Sequence, residues 1–202
     1  MIYSYYPGLL LGFHGCNKDT YDRVIRNSGQ LSKSENRYDW LGHGIYFWEN
    51  SYARALDWAK EKCRKTGDAA AVVGAALDLG YCLNLTDYQN SEFVKKGYFA
   101  LKEHMKAKGK PLPKNQKGRN GDDWLFRDLD CAVINYINDL LENEKEREKE
   151  HEKKHSSFDS VRGIFTEGVP IYSGAGFREK THVQICIRKP VCIKGYFAGR
   201  TT

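Results

Sequence analysis

The stretch Leu41-Gly-His-Gly-Ile-Tyr-Phe-Trp-Glu-Asn50 decides how this chain is read. Gly42 and Gly44 omit side chains where the backbone must turn or approach something closely. Tyr46, Phe47 and Trp48 follow at once and supply flat apolar surface with hydrogen-bonding tips. Asn50 or Ser51 then stands where it caps a helix, and Ala55, Leu56 and Ala59 make that helix's apolar side. Taken alone, the stretch predicts a strand entering a core and running on into a helix. A second motif lies upstream, Gly12-Phe-His-Gly-Cys16, at the end of residues 9–14, which read as a buried strand.

The other elements follow in order. Asn17 or Asp19 caps a helix running to Asn27, with Gly29 in the C′ position that ends it. Residues 32–40 are polar, then aromatic, and predict a loop over a cleft. The apolar run 69–79, set between Gly67 and Gly80, predicts a central strand. Leu77-Asp-Leu-Gly-Tyr-Cys-Leu-Asn-Leu85 then reads as strand, glycine turn and short strand. Residues 89–108 predict a helix and 109–121 a Lys/Pro/Gly/Asn linker of little intrinsic order. Asp122 or Asp123 caps a long helix reaching about residue 154. Its second half alternates acid and base, with Glu142–Lys145, Glu146–Lys149 and Glu150–Lys154 spaced for helical ion pairs. Residues 160–166 predict a strand, followed by the Gly-rich loop 167–177. Strands at 181–188 and 191–197 come last, broken into a hairpin by Pro190. The expected fold is α+β.

The chain has 202 residues and a formal net charge of +6, enough for one domain with a real core. Its six cysteines show no CxxC and no Cys/His spacing suited to zinc, so buried reduced thiols are expected and no metal. The N-terminus predicts no signal peptide, and no apolar run is long enough for a transmembrane helix. A cytoplasmic protein without membrane contact is expected. Residues 95–119 hold nine Lys/Arg against the single Glu103, a local excess of +8. Such a block favours an anionic partner through counterion release.

His14-Gly15, the helical pattern to Asn27, the Gly42-His-Gly-Ile-Tyr-Phe47 segment and the 77–85 segment, in that order, resemble the nicotinamide-binding half of the ADP-ribosyltransferase fold. The likeness is to its poly-ADP-ribose-polymerase-like, or diphtheria-toxin-like, branch. It covers residues 8–87 well and the last 25 loosely. The resemblance implies a single domain with a split β-sheet, flanking helices and a basic, helical insertion at about 88–158. It implies NAD as co-substrate. His14 would bond the adenosine ribose, Gly15 would clamp the nicotinamide carboxamide, and Gly44 and Tyr46 would frame the ring, with Tyr46 stacking on it. Trp58 stands near a second stacking position.

The polymer-forming members carry a Glu on a late strand, and the corresponding Thr181-His-Val-Gln-Ile-Cys-Ile187 has none. Strand parity puts His182, Gln184 and Cys186 on one face, with Gln184 the first candidate to bond the ribose and His182 the second. Glu167, Glu179 or Glu49 are placed to bring a carboxylate from a neighbouring segment. Arg162 and Arg178 are candidates for pyrophosphate or acceptor phosphate, and loop 168–178 for closing over substrate. The expected activity is transfer of a single ADP-ribose to a macromolecule, RNA ahead of protein, with Tyr38 and Trp40 as base-stacking candidates. The small stand-alone form suggests a bacterial toxin or defence effector with an antitoxin partner. An NAD glycohydrolase and a catalytically silent module that binds ADP-ribose or nucleic acid are the alternatives.

Overall fold

The strand Leu10–Asn17 (β1) sets the frame, because its period of two gives the sheet its two faces. Leu10, Gly12, His14 and Cys16 turn to one side and Phe13 and Gly15 to the other. A computed structural model describes residues 8–118, 123–147 and 157–199. After β1 come α1 (Lys18–Ile25), β2 (Ile45–Glu49), α2 (Tyr52–Cys63), β3 (Ala70–Leu77) and β4 (Cys82–Asn84). Next are α3 (Tyr88–Ala107), β5 (Asn115–Gln116), β6 (Phe126–Arg127) and α4 (Asp128–Arg147). The chain then returns to strands with β7 (Ser160–Phe165), β8 (His182–Ile187) and β9 (Ile193–Ala198).

The fold is mixed α+β. Seven strands make one sheet in the order β4-β7-β8-β2-β1-β3-β9, and β5 and β6 form a separate ribbon. In place of the split β-sheet that the resemblance implies, these strands form one sheet with a thin seam in the middle. β1 pairs with β3 along its whole length, from Leu10–Leu77 to Asn17–Ala70. With β2 it pairs only at Gly12–Glu49 and Phe13–Trp48. Beyond Phe13 that ladder stops, and the His14 imidazole takes over as partner of the Tyr46 carbonyl, which accepts from Nδ1 at 2.8 Å.

Three apolar clusters hold the sheet. Ile45, Phe47, Val73, Leu77 and Ile185 pack together on one face, where α1 adds Val24. Leu41, Val161 and Cys186 pack against Leu101 of α3 and Ile134 and Ile137 of α4. α2 covers Trp48 and Val72 with Ala55. Phe47 is fully buried, a burial that contributes roughly 1.5–3 kcal/mol.

Several boundaries differ from expectation. Asn17 does cap α1, accepting from the Thr20 amide at 3.0 Å. The helix then ends at Ile25, and Ser28, not Gly29, holds the left-handed φ of 53°. The Gly29 amide instead bonds back to the Arg23 carbonyl at 2.9 Å. α4 begins at Asp128, and its first amides are met by Asn115 Oδ1, which accepts from Leu129 at 2.9 Å and Asp130 at 3.3 Å. The linker thus supplies the cap through the β5–β6 ribbon. Asp123 instead accepts from the Gly168 amide at 2.9 Å, and Asp122 lies outside the described residues. The helical ion pairs expected from Glu142 to Lys154 involve side chains outside the described residues as well.

Pro190 opens a 3-10 turn, Pro190–Cys192, instead of a hairpin. Both edges of β8 are taken, by β7 and β2, so β9 crosses to the free edge of β3. Among the described residues no helix is long and apolar enough to cross a membrane.

Candidate functional site

Cross-strand pairing assembles one polar and aromatic cluster on the α2 side of the sheet. β2 and β8 pair Tyr46 with Cys186 and Trp48 with Gln184, and β7 and β8 pair Phe165 with His182. The alternation expected for β8 holds, so His182, Gln184 and Cys186 share the face of Trp48. The His182 ring lies between Phe165, with centroids 5.6 Å apart and planes at 28°, and Trp48 at 6.0 Å. Trp58 meets Trp48 from α2 at 5.4 Å. One helical turn earlier, Arg54 sets its guanidinium 5.9 Å from the Trp48 ring and donates to Glu167 Oε2 at 2.5 Å. Lys180 pairs with Asp57 at 3.1 Å, so two ion pairs fasten the segment between β7 and β8 to α2.

The polar atoms of this cluster are incompletely used. His182 Nδ1 donates to the Lys180 carbonyl in the turn just before β8, at 2.6 Å, which fixes the tautomer and leaves Nε2 as an acceptor. Burial holds its pKa below the usual imidazole value; the Arg54 charge pushes the same way and the Glu167 charge against it. His182 is therefore neutral at pH 7. Its Nε2, the Trp48 indole Nε1 and Arg54 Nε are all buried without a hydrogen-bond partner. Each such atom costs about 1–3 kcal/mol. Three of the four such atoms among the described residues lie on these neighbouring side chains, a concentration that calls for a physical explanation.

The chain matches no protein-family model, no curated protein and no solved structure. The site therefore rests on this geometry.

The residues picked from sequence fall into two groups. Trp58, His182, Gln184 and Glu167 come together around Trp48. Gln184 is already engaged, its Oε1 accepting from Trp40 Nε1 at 2.6 Å. Trp40, expected at the surface, is 7% exposed. It lies over Gly163 and 5.4 Å from the Phe165 ring. Tyr46 is on the same face, but its hydroxyl donates to the Gly42 carbonyl at 2.8 Å and accepts from the Leu41 amide at 3.0 Å. It pins the turn, and burial lifts its phenol pKa well above the ordinary value. Gly44 is required by packing, since a Cβ there would sit 2.5 Å from Cys186 Sγ.

The other group stands apart. His14 packs edge-on against Phe47, which faces away from Trp48 on the same strand. Its Nδ1 is held by the Tyr46 carbonyl, and burial lowers its pKa, so it too is neutral with Nε2 left as an acceptor. Gly15 lies under α2, where a Cβ would strike the Ala55 carbonyl oxygen. Arg162 pairs with Glu49 through two contacts, at 2.6 and 2.9 Å. Glu179 is exposed. Arg178 donates to the Gly168 carbonyl at 2.9 Å and lies 3.7 Å from Asp123. Among the described residues no three His, Cys, Asp or Glu gather as a metal site.

Arg54 and Phe165 are the members that the sequence reading did not single out. The available signal for Arg54 is its i, i+4 spacing from Trp58, which puts both on one side of α2.

Proposed function

We propose that the chain binds NAD⁺, breaks its nicotinamide–ribose bond and passes ADP-ribose to a nucleophile. The observation that carries this reading is the pair of unused polar atoms on Trp48 and His182, a donor and an acceptor on buried rings 6.0 Å apart, within an aromatic cluster. A flat heteroaromatic amide such as nicotinamide asks for aromatic surface together with one donor and one acceptor. The resemblance of the His-Gly and Gly-Ile-Tyr-Phe segments to ADP-ribosyltransferases supports the same reading. Gln184 Oε1 already accepts from Trp40 Nε1, so in this reading His182, not Gln184, is the polar group of β8 that meets NAD⁺.

In the reaction the C1′–N bond breaks and its electron pair goes to the departing nicotinamide, which becomes neutral. The ribose is left as an oxocarbenium-like centre that the Glu167 carboxylate stabilises electrostatically. The incoming oxygen or nitrogen then bonds to C1′, and its proton passes to His182 Nε2, whose lone pair the departing nicotinamide releases and which can take the proton because the residue is neutral. With water as nucleophile the same steps give an NAD glycohydrolase.

The test is incubation with adenine-labelled NAD⁺ in a cell lysate, following both free nicotinamide and label. Nicotinamide release with label on macromolecules supports transfer, and release with label only in free ADP-ribose supports hydrolysis. Absence of release from the folded protein refutes both and leaves the silent binding module.

A further inference from the structure

A furrow of about 790 Å³ opens beside the cluster, between the β5–β6 ribbon, the start of α4 and the end of β7. Its walls include Lys114, Trp124, Arg127, Ile164, Phe165 and Arg178. Trp124 is 52% exposed, a high value for so large an apolar side chain, and Lys117 sits 5.8 Å from its ring. Phe126, 44% exposed, meets Tyr38, 48% exposed, edge to face at 6.1 Å. Arg127 spreads its guanidinium over Trp40 at 4.4 Å and Phe165 at 5.6 Å. Phe165 is the shared wall, since its ring also stacks on His182. The furrow therefore runs up to the site described above.

We propose that this furrow binds an unpaired nucleic-acid strand and presents it to the cluster as the acceptor of ADP-ribose; the acceptor role rests on the function proposed above. Cations interleaved with exposed aromatic faces suit such a strand, because phosphates meet the cations while any base stacks on the rings. The surroundings carry the same sign. From residue 95 to 117 the chain holds eight lysines and one acid, Glu103. On α3 the residues facing α4 include Val94, Tyr98, Leu101 and Met105, which leaves Lys95, Lys96, Lys102 and Lys106 exposed. Within the furrow Asp123 and Asp130 offset Arg178 and Arg127. Attraction there falls to Lys114 and the aromatic faces, which favours a strand with bare bases over a duplex or an acidic polypeptide.

The experiment is fluorescence anisotropy of the whole protein, without NAD⁺, on four labelled probes. These are a short unstructured oligoribonucleotide, its deoxy counterpart, a duplex of the same sequence and polyglutamate. Single strands, ribo alone or both sugars, bind more tightly than duplex and polyglutamate. Affinity falls roughly 20- to 50-fold between about 50 and 200 mM salt, as expected for about three to four phosphate contacts. Trp124→Ala weakens binding on the order of tenfold, and Lys114→Glu weakens it and flattens the salt dependence. The exposed pair Lys102→Glu/Lys106→Glu has a smaller effect than Trp124→Ala. No binding, equal binding of duplex or polyglutamate, or loss with the α3 pair but not with Trp124→Ala overturns the furrow. Nicotinamide release is measured separately without oligonucleotide. Release from a protein that binds no strand removes this inference alone, and strand binding without release removes the proposed reaction with the acceptor role and leaves the furrow as a strand-binding site.

Discussion

In a His182→Phe protein a benzyl group enters the slot between Phe165 and Trp48 with nearly the imidazole's shape and one more ring atom. Two changes in stability oppose each other. The bond from Nδ1 to the Lys180 carbonyl, 2.6 Å in the native protein, disappears; a net loss of about 0.5–1.5 kcal/mol is ordinary for such a bond. The buried, unpartnered Nε2 disappears as well, which relieves about 1–3 kcal/mol. The expected outcome lies between about 0.5 kcal/mol less stable and about 2.5 kcal/mol more stable than the parent. Activity moves further and in one direction only, because the group proposed to bond substrate is gone. Loss of one preorganised polar contact to a transition state lowers the rate on the order of 10²–10³-fold. Urea denaturation with an unchanged slope gives the stability, and nicotinamide release from NAD⁺ gives the rate. Undiminished release, or a loss of activity that only tracks unfolding after a fall of more than about 3 kcal/mol, refutes the assignment of His182.

Tyr46→Phe leaves the Leu41 amide buried without its acceptor and destabilises the fold by about 1–3 kcal/mol. Nicotinamide release per folded molecule stays near the parent value, which separates a pinning hydroxyl from a catalytic one. His14 and His182 both titrate below the ordinary value of 6.5 in the folded chain. The unfolded chain therefore binds more protons, and stability is complete above that value and declines as pH drops through it; denaturation midpoints between pH 7 and 5 record the decline. Burial pushes the thiols of Cys16, Cys82, Cys131 and Cys192 up to about 11 and that of Cys186 to about 12. These thiols resist a thiol-reactive dye in the native protein and react together once urea unfolds it.

Local sequence was enough to place most elements. The apolar run ending at Leu79 became β3, the aromatic triplet after Gly44 became β2, and the charged, periodic stretch from Tyr88 became α3, because burial period and caps act over a few residues. The parity that set His182, Gln184 and Cys186 on one face was legible for the same reason. The six buried, free cysteines were legible too, from the apolar runs around them.

What the chain does across long separations was not legible. Sequence motifs put His14, Gly15, Tyr46 and Gln184 in one site, whereas the register that pairs Phe13 with Trp48 leaves His14 on the Phe47 side. The seam is decided by two strand pairs and one imidazole, none of which a local pattern encodes. Gln184 was a free amide on paper until Trp40, 144 positions away, closed over it. Pro190 fixed a break, but whether the last strand folded back or crossed the sheet depended on which edges β7 and β2 had already filled. Residue type and spacing thus determined the elements and the chemistry each one carries. Only the tertiary structure decided which of those groups are satisfied by one another and which, among the described residues, are buried without a partner, because hydrogen-bond satisfaction is a property of neighbours in space.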